Sequence, residues 1–229
     1  MQARLLSHSQ PVRHIHSGEP GIMGLENIQD LVAYCARVSN PSNQSNTKTT
    51  PKLLEYLIKH KHWSPFAHTS IKFRFRAPIF IARQFQKHVV GFVWNEVSRR
   101  YVDDPPAFFV PFSWRQRPEN MKQGSVRYGE VLLSGDVLDA YVDQMREHYK
   151  DYKSMISQGI CPEQVRMCMP QSMITEWIWT GSLMAWTRFV QLRGDHHAQA
   201  ECWPYANLVQ EQLERLFPIS TRELLEITY

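Results

Sequence analysis

The sequence predicts a mixed α/β fold of the α+β type, in one domain over residues 1–229. Three observations predict it. Residues 70–76 alternate strictly, with Ile71, Phe73 and Phe75 on one side and Lys72, Arg74 and Arg76 on the other, which is the period of a half-exposed strand. Helix-like stretches with start signals flank it. A chain of 229 residues with 43% hydrophobic and 21% charged residues can bury a substantial core, and nothing in it calls for a second domain.

The elements follow in order. Residues 26–38 read as a helix. Thr50 is placed to cap the next helix, with Pro51 at its first position, and this helix runs to residue 60. The intervening stretch 40–50 is polar and is expected to be a mobile loop. Pro78 ends the strand over 70–76 and opens a helix through residue 88. Residues 92–101 fit either extended chain or loop. The stretch 103–129 is rich in proline, arginine and aromatic residues, and is expected to be a long irregular excursion of the kind that often serves as a lid. A long helix follows over 136–158, a short one over 162–169, a strand over 172–179 and a helix over 182–193. Residues 196–217 read as helical, with Pro204 as a kink or break. No internal repeat is present.

Composition narrows the function classes. The net charge is +4 and the pI about 8.9. This suits an anionic small molecule but is too weak and dispersed for a nucleic-acid surface. The first ten residues include Arg4 and His8 and no apolar core, so no secretory signal is expected. The apolar runs are too short to span a bilayer. A cytoplasmic protein, in the host cytoplasm if the source is viral, with no membrane partner is expected. Cys35, Cys161, Cys168 and Cys202 show no CxxC pair or zinc spacing, so they read as reduced, mostly buried thiols, and no metal is expected.

The chemistry concentrates in RQFQKHVVGFVWNEVSRRY, residues 83–101. Arg83, Gln84, Lys87, His88, Asn95, Glu96, Ser98, Arg99, Arg100 and Tyr101 fall in one short segment after the apolar run APIFIA. Cationic forks grip phosphate, while an amide, a carboxylate and a hydroxyl can read the edge of a polar ring. The segment resembles the signature of the flavin-dependent thymidylate synthases, R-Q-W-x-R-H-R followed by N-E-x-S-x-R-Y. Lys87 stands for the first signature arginine after the tryptophan position and Val89 for the second. The spacer before Asn95 is one residue longer, and the tail NEVSRRY matches closely.

Three further segments resemble the same family in the same order. HKHWSPFAH, residues 60–68, is similar to G-H-E-T-P-F-E-H through His62, Ser64, Pro65, Phe66 and His68, with Ala67 in place of a glutamate. On the residues alone, His60, His62 and His68 fit solvated positions at a helix end and strand entry equally well. PEQVRMCMPQ, residues 162–171, is similar to E-x-x-R-x-x-L-P through Glu163, Arg166 and Pro170. An exposed Glu163–Arg166 ion pair is the plainer reading of that spacing. Residues 179–206 match W-T-x-N-L-R and L-R-x-x-x-x-A-Q-x-E through Trp179, Thr180, Leu183, Leu192, Arg193, His197, Ala198, Gln199 and Glu201. Ser182, Met184 and Arg188 stand where the family has asparagine, arginine and asparagine. An ARVS string containing Ala36, Arg37 and Ser39 opens the series. Arg193 beside Gly194 also suits a simple helix-dipole partner.

The resemblance implies a small, mostly antiparallel sheet flanked by helices, assembled as a homotetramer with shared sites. It implies reductive methylation of deoxyuridylate (dUMP) to thymidylate, with methylenetetrahydrofolate as carbon donor and NADPH as reductant through FAD. It places Arg193 at the uracil edge and His62 near flavin and folate as catalytic residues. Gln84, Lys87, Glu96, Ser98, Arg99, Arg100 and Arg166 join Arg193 around deoxyuridylate. His62, Ser64, Lys87, His88, Val89, Asn95, Glu96, Ser182, Arg188, Leu192 and His197 are implied around FAD. Arg188 is expected to compensate for the polar groups that Val89, Ser182 and Met184 replace. No cysteine lies in a proline-cysteine-histidine context, and Ser98 has no histidine base at a telling position, so no covalent nucleophile is expected. Two rival readings are a single-strand nucleic-acid module using Arg74, Arg76, Arg83, Arg99 and Arg100 with the tryptophans, and a zinc hydrolase on His60, His62, His68, His196 and His197, which has no HExxH or related spacing.

Overall fold

The computed structural model describes residues 2–10, 25, 27–112, 114–117, 119, 130–131 and 135–227. Residue 26 of the first expected helix, and residues 113, 118 and 120–129 of the expected excursion, lie outside the described residues. The elements run β1 (Gln2–His8), α1 (Ile28–Ala36), α2 (Thr50–Lys59), α3 (Ser64–Ala67), β2 (Ile71–Pro78), α4 (Ile79–Phe85) and β3 (Phe92–Glu96). The second part runs β4 (Trp114–Arg115), β5 (Glu130–Val131), α5 (Gly135–Ser157), α6 (Pro162–Val165), β6 (Ile174–Gly181), α7 (Leu183–Gly194), α8 (Trp203–Leu216) and α9 (Pro218–Glu226).

Four strands form the main sheet in the order β1-β2-β6-β3, each pair antiparallel. The alternation read at residues 71–76 sets its faces. Phe73 pairs with Trp179 and Phe75 with Trp177, and all four are buried at 1% exposure or less. Against them pack Phe85 of α4, Trp186 and Phe189 of α7, and Tyr205 of α8. Phe75 stacks on Trp177 at 5.2 Å between centroids. The polar tips of two of these rings are satisfied, as burial demands: Trp186 Nε1 donates to the Ile71 carbonyl at 3.0 Å and the Tyr205 hydroxyl to the Arg76 carbonyl at 3.0 Å. Gly181 faces Phe92 across the β3–β6 pair, and a Cβ there would lie 2.4 Å from the Phe92 ring, so only glycine lets the edge strand close on the core.

Several expectations are corrected. The cap of α2 is Thr49, and Pro51 sits within the first turn of a helix that already includes Thr50. Residues 92–101 resolve into strand β3 followed by a turn. Pro204 does not kink a helix. It stands in the first turn of α8, where its missing N–H costs nothing, and residues 200–202 before it form a separate 3₁₀ turn. Residues 103–112, 115–117 and 119 are largely irregular, with only the short β4 and an isolated bridge from Phe108 to Met173. Strand β1 and helix α9 were not expected. The first is an edge strand and mostly exposed, and the second follows directly on α8 after Phe217.

Candidate active site

The chain just beyond α4 and the last turn of α7 meet, and signature residues from both form one hydrogen-bonded node. Arg193 Nε donates to His88 Nε2 at 2.9 Å, and Arg193 Nη2 donates to the Gln84 carbonyl at 3.2 Å. A guanidinium can only donate, so His88 Nε2 carries no proton and the ring is neutral. Burial first, and then the Arg193 charge, lower the His88 pKa from 6.5 to about 4. Arg193 uses one of its two N–H groups on Nη2 and neither on Nη1 in these bonds, so donors remain for a ligand. On the other side of Gln84, its side-chain amide donates to Gln199 Oε1 and its Oε1 accepts from the Cys202 thiol at 3.5 Å. Burial pushes that thiol up to about 12, which keeps it protonated and poorly nucleophilic.

Exposed apolar surface flanks the node. Val89 is 71% exposed, Val90 75% and Leu192 60%. Polar donors beside uncovered apolar side chains suit a flat ring with a hydrogen-bonding edge.

The remaining expected residues fall in separate patches of the single chain. Lys87, Val89 and Glu96 line a groove of about 510 Å³ together with Arg83. Glu96 is held there: its Oε1 accepts from Thr175 Oγ1 at 2.7 Å and its Oε2 from Trp94 Nε1 at 3.3 Å. Asn95 sits on the opposite sheet face, because neighbours alternate along a strand. In the turn after β3, Arg100 Nε donates to Ser98 Oγ at 3.3 Å, and Arg99 donates to the Asp104 carbonyl. Arg166 is exposed, and its Nε donates to the Glu163 carbonyl at 3.1 Å, so no ion pair forms with the Glu163 carboxylate.

His62 and Ser64, both exposed, line a groove of about 460 Å³ with Ala36, Val38 and Ser39, which brings the ARVS string and the HKHWSPFAH segment together. A left-handed Lys61 (φ 57°) and a hydrogen bond donated by the His62 backbone N–H to the Leu57 carbonyl at 2.8 Å fix the turn that presents His62. Arg188 and Leu192 line a third groove, about 720 Å³, against Leu225 and Ile227. Ser182 is buried at 8% exposure and caps α7 by accepting from the Ala185 amide at 3.2 Å. His197 binds Asp195 through its backbone amide at 2.7 Å and its ring Nδ1 at 2.9 Å; these bonds hold the Asp195 carboxyl below the usual range.

Sequence reasoning missed three contributors. Gln199 belongs to a matched motif, but the motif gives no sign of its bond to Gln84. Thr175, which holds Glu96, falls between the matched residues Pro170 and Trp179. Arg115, in the irregular stretch, donates to both Glu201 oxygens at 2.6 and 2.7 Å. Burial alone would raise the Glu201 carboxyl; the Arg115 bonds, together with a backbone bond, a bond with the Gln199 side chain and the Arg115 charge, outweigh it and hold the carboxyl below the ordinary range.

The architecture is similar to that of a solved UMP/dUMP methylase. The UMP/dUMP methylase PolB from Streptomyces cacaoi, solved with 5-Br dUMP, is similar to this chain with a TM-score of 0.80 and 25% identity, covering 97% of this chain and 93% of that one. The family model for thymidylate synthase complementing protein matches residues 22–219. The flavin-dependent thymidylate synthase of Thermosipho melanesiensis is 31% identical over 194 residues, 85% of this chain and 84% of its own. The probable flavin-dependent thymidylate synthase of Paramecium bursaria Chlorella virus 1 is 29% identical over 227 residues, 98% of this chain and 99% of its own. The chain therefore belongs to the thymidylate synthase complementing protein family, that of the flavin-dependent thymidylate synthases.

Proposed function

We propose that this enzyme methylates carbon 5 of deoxyuridylate, with methylenetetrahydrofolate as carbon donor and NADPH as reductant, and that residues 1–229 form one synthase domain. The single observation that carries this reading is the Arg193–His88–Gln84 node. It joins two motif segments separated by about a hundred residues, and it leaves guanidinium donors free beside exposed apolar surface.

In this reading Arg193 directs its remaining N–H groups at the O2/N3 edge of uracil. It favours negative charge there and so activates the ring at its C5–C6 bond. A fixed donor of this kind is worth about 3–4 kcal/mol at a transition state. The neutral His88 holds the guanidinium plane without adding a competing charge. Lys87, Arg100 and Arg166 take the phosphate, with Arg99 beside them. Gln84, Glu96 and Ser98 orient sugar and base. Fixing the substrate in this way removes much of its rotational freedom before reaction.

The residues present fit FAD: the uncovered Val89, Val90 and Leu192 offer apolar faces beside the node. His62, Ser64, Lys87, His88, Val89, Asn95, Glu96, Ser182, Arg188, Leu192 and His197 would hold it. FAD, when bound, supplies the hydride chemistry. The residues assigned to deoxyuridylate and FAD are spread over several separate patches of one chain, which supports a homotetramer in which neighbouring copies complete each site. The partners are then small molecules and further copies of this chain, not nucleic acid. The test is tritium release from 5-labelled deoxyuridylate. Release that requires FAD, NADPH and methylenetetrahydrofolate together supports the reading, and none from flavin-loaded protein refutes it.

A further inference from the structure

A series of hydrogen bonds runs from β4 to α4 and fixes which end of the Gln84 amide is left for a ligand. It starts at Arg115, which donates to both Glu201 oxygens at 2.6 and 2.7 Å. The two side chains are largely shielded from solvent, at 24% and 11% exposure. The Gln199 side chain also bonds the Glu201 carboxylate. Gln199 Oε1 in turn accepts from the Gln84 amide. At the far end the Cys202 thiol donates to Gln84 Oε1 at 3.5 Å.

The chemistry of each link leaves one arrangement. An ionised carboxylate only accepts, so Gln199 turns its Nε2 to Glu201 and its Oε1 to Gln84. Gln84 then spends an Nε2 hydrogen on Gln199, and its Oε1 lies on the other side. There the oxygen meets a thiol, a weak donor, and a carbonyl oxygen has two lone pairs. Turning the Gln84 amide over would set oxygen against oxygen at Gln199, so the arrangement does not invert freely. The main-chain carbonyl of the same residue accepts from Arg193, which puts the Gln84 acceptor and the remaining Arg193 donors in one node. An acceptor beside donors is the complement of N3–H beside O2 on the edge of uracil. Cytosine brings a bare N3 lone pair to that acceptor instead.

We propose that Arg115, Glu201 and Gln199 are positioning residues that set the base specificity: they hold Gln84 as a hydrogen-bond acceptor for the N3–H of uracil and so exclude cytosine. This rests on the assignment of Gln84 and Arg193 to the base of deoxyuridylate, and adds the ion pair that sets the polarity of that site. A glutamine with no such tether reads either base, because its amide turns over. One tied to a carboxylate rejects the wrong base by repulsion.

The test measures deoxyuridylate and deoxycytidylate affinity by calorimetry in the full-length, flavin-loaded protein, for wild type and Glu201→Gln. Wild type should favour deoxyuridylate by about a hundredfold or more, since a fixed acceptor faces an unpaired lone pair in the wrong base. In Glu201→Gln, Arg115 can hold only the oxygen of the new amide, so the amide nitrogen faces Gln199 and each amide in the series turns over. The preference should then fall by at least about tenfold, with deoxycytidylate bound more tightly than by wild type. Damage to packing would weaken both nucleotides alike and does not produce that gain. The double change Arg115→Met with Glu201→Gln leaves no shielded cation unpaired and frees the amides without reversing them, so its preference should lie between those of wild type and Glu201→Gln. A wild type that binds both nucleotides equally overturns the proposal. So does a preference unchanged within about twofold in both variants, or a parallel loss of both nucleotides. Tritium release by wild type in the same preparation tests the underlying reading separately: release with an unchanged preference sinks the relay alone, and no release with no nucleotide bound sinks both.

Discussion

Changing Arg193 to Ala tests the node directly, because the structure predicts a change in a second residue that the substitution does not touch. His88 is held neutral by burial first and by the Arg193 charge second, with its pKa lowered from 6.5 to about 4. In the unfolded chain it takes a proton near pH 6.5, whereas in the folded chain it resists until about pH 4. Across that window the unfolded state binds more protons, so stability falls as pH drops from 6.5 to 4 and is unaffected by this group above 6.5. At 1.36 kcal/mol per pKa unit the full displacement would amount to about 3 kcal/mol. The ring is only half-buried, and solvent screening reduces the expected loss to about 1–2 kcal/mol. The assay is NMR titration of the His88 ring, assigned by its absence in His88→Gln, with urea unfolding across pH 4–7. In Arg193→Ala the smaller of the two causes is gone, so the His88 pKa should rise but stay below 6.5, and the pH-dependent loss should shrink. A wild-type His88 that titrates near 6.5, or one that falls further in Arg193→Ala, would refute the reasoning. Deoxyuridylate turnover by Arg193→Ala should drop about 10²–10³-fold.

Arg115→Ala leaves the Glu201 carboxylate, only 11% exposed, without its cation, and urea unfolding at pH 7 should show a loss of about 2–3 kcal/mol. Since Glu201 sits below the ordinary carboxylate range, the pair's contribution is complete above about pH 4.5 and disappears as pH falls through the lowered value, so wild type and variant should converge in acid. Thr175→Val removes the hydroxyl that holds Glu96; it should cost about 0.5–1 kcal/mol of stability and raise KM for deoxyuridylate more than it lowers kcat. Iodoacetamide should label the exposed Cys161 in folded protein and leave Cys202 unmodified, with tritium release retained; rapid labelling of Cys202 would contradict its buried, protonated state. Arg188→Ala should weaken FAD binding severalfold by equilibrium dialysis. Unchanged affinity would remove Arg188 as the residue that makes up for the apolar side chains at Val89 and Met184.

Much of the sheet was legible because burial and period coincide. Residues 71–76 could only be a strand with Phe73 and Phe75 inward, and the expected strand and helix over 172–193 survive as β6 and α7. The boundary errors are local. Proline at 204 has the same sequence signature whether it breaks a helix or begins one, and only the 3₁₀ turn at Ala200–Cys202 decides. The candidate site divides the same way. Motif order identified Gln84, His88 and Arg193, but not that Arg193 binds His88, since that bond depends on how α7 crosses the turn after α4. His62, Arg166 and Arg188 stand exposed on one chain, and no single-chain signal states what covers them.

The turn into β3 has a consequence for how this lineage can tolerate length changes. Gly91, with φ +76°, and the Phe92 amide bonded to the Val89 carbonyl at 3.4 Å close that turn. The longer spacer of the signature is therefore accommodated ahead of Phe92, where the backbone already departs from any regular period. Had the additional residue entered the strand itself, Asn95 and Glu96 would have traded sides, and the carboxylate would have left Thr175 for the far surface. Insertions in natural relatives should accordingly cluster between positions 89 and 91, while the strand Phe92–Glu96 after them keeps a fixed length.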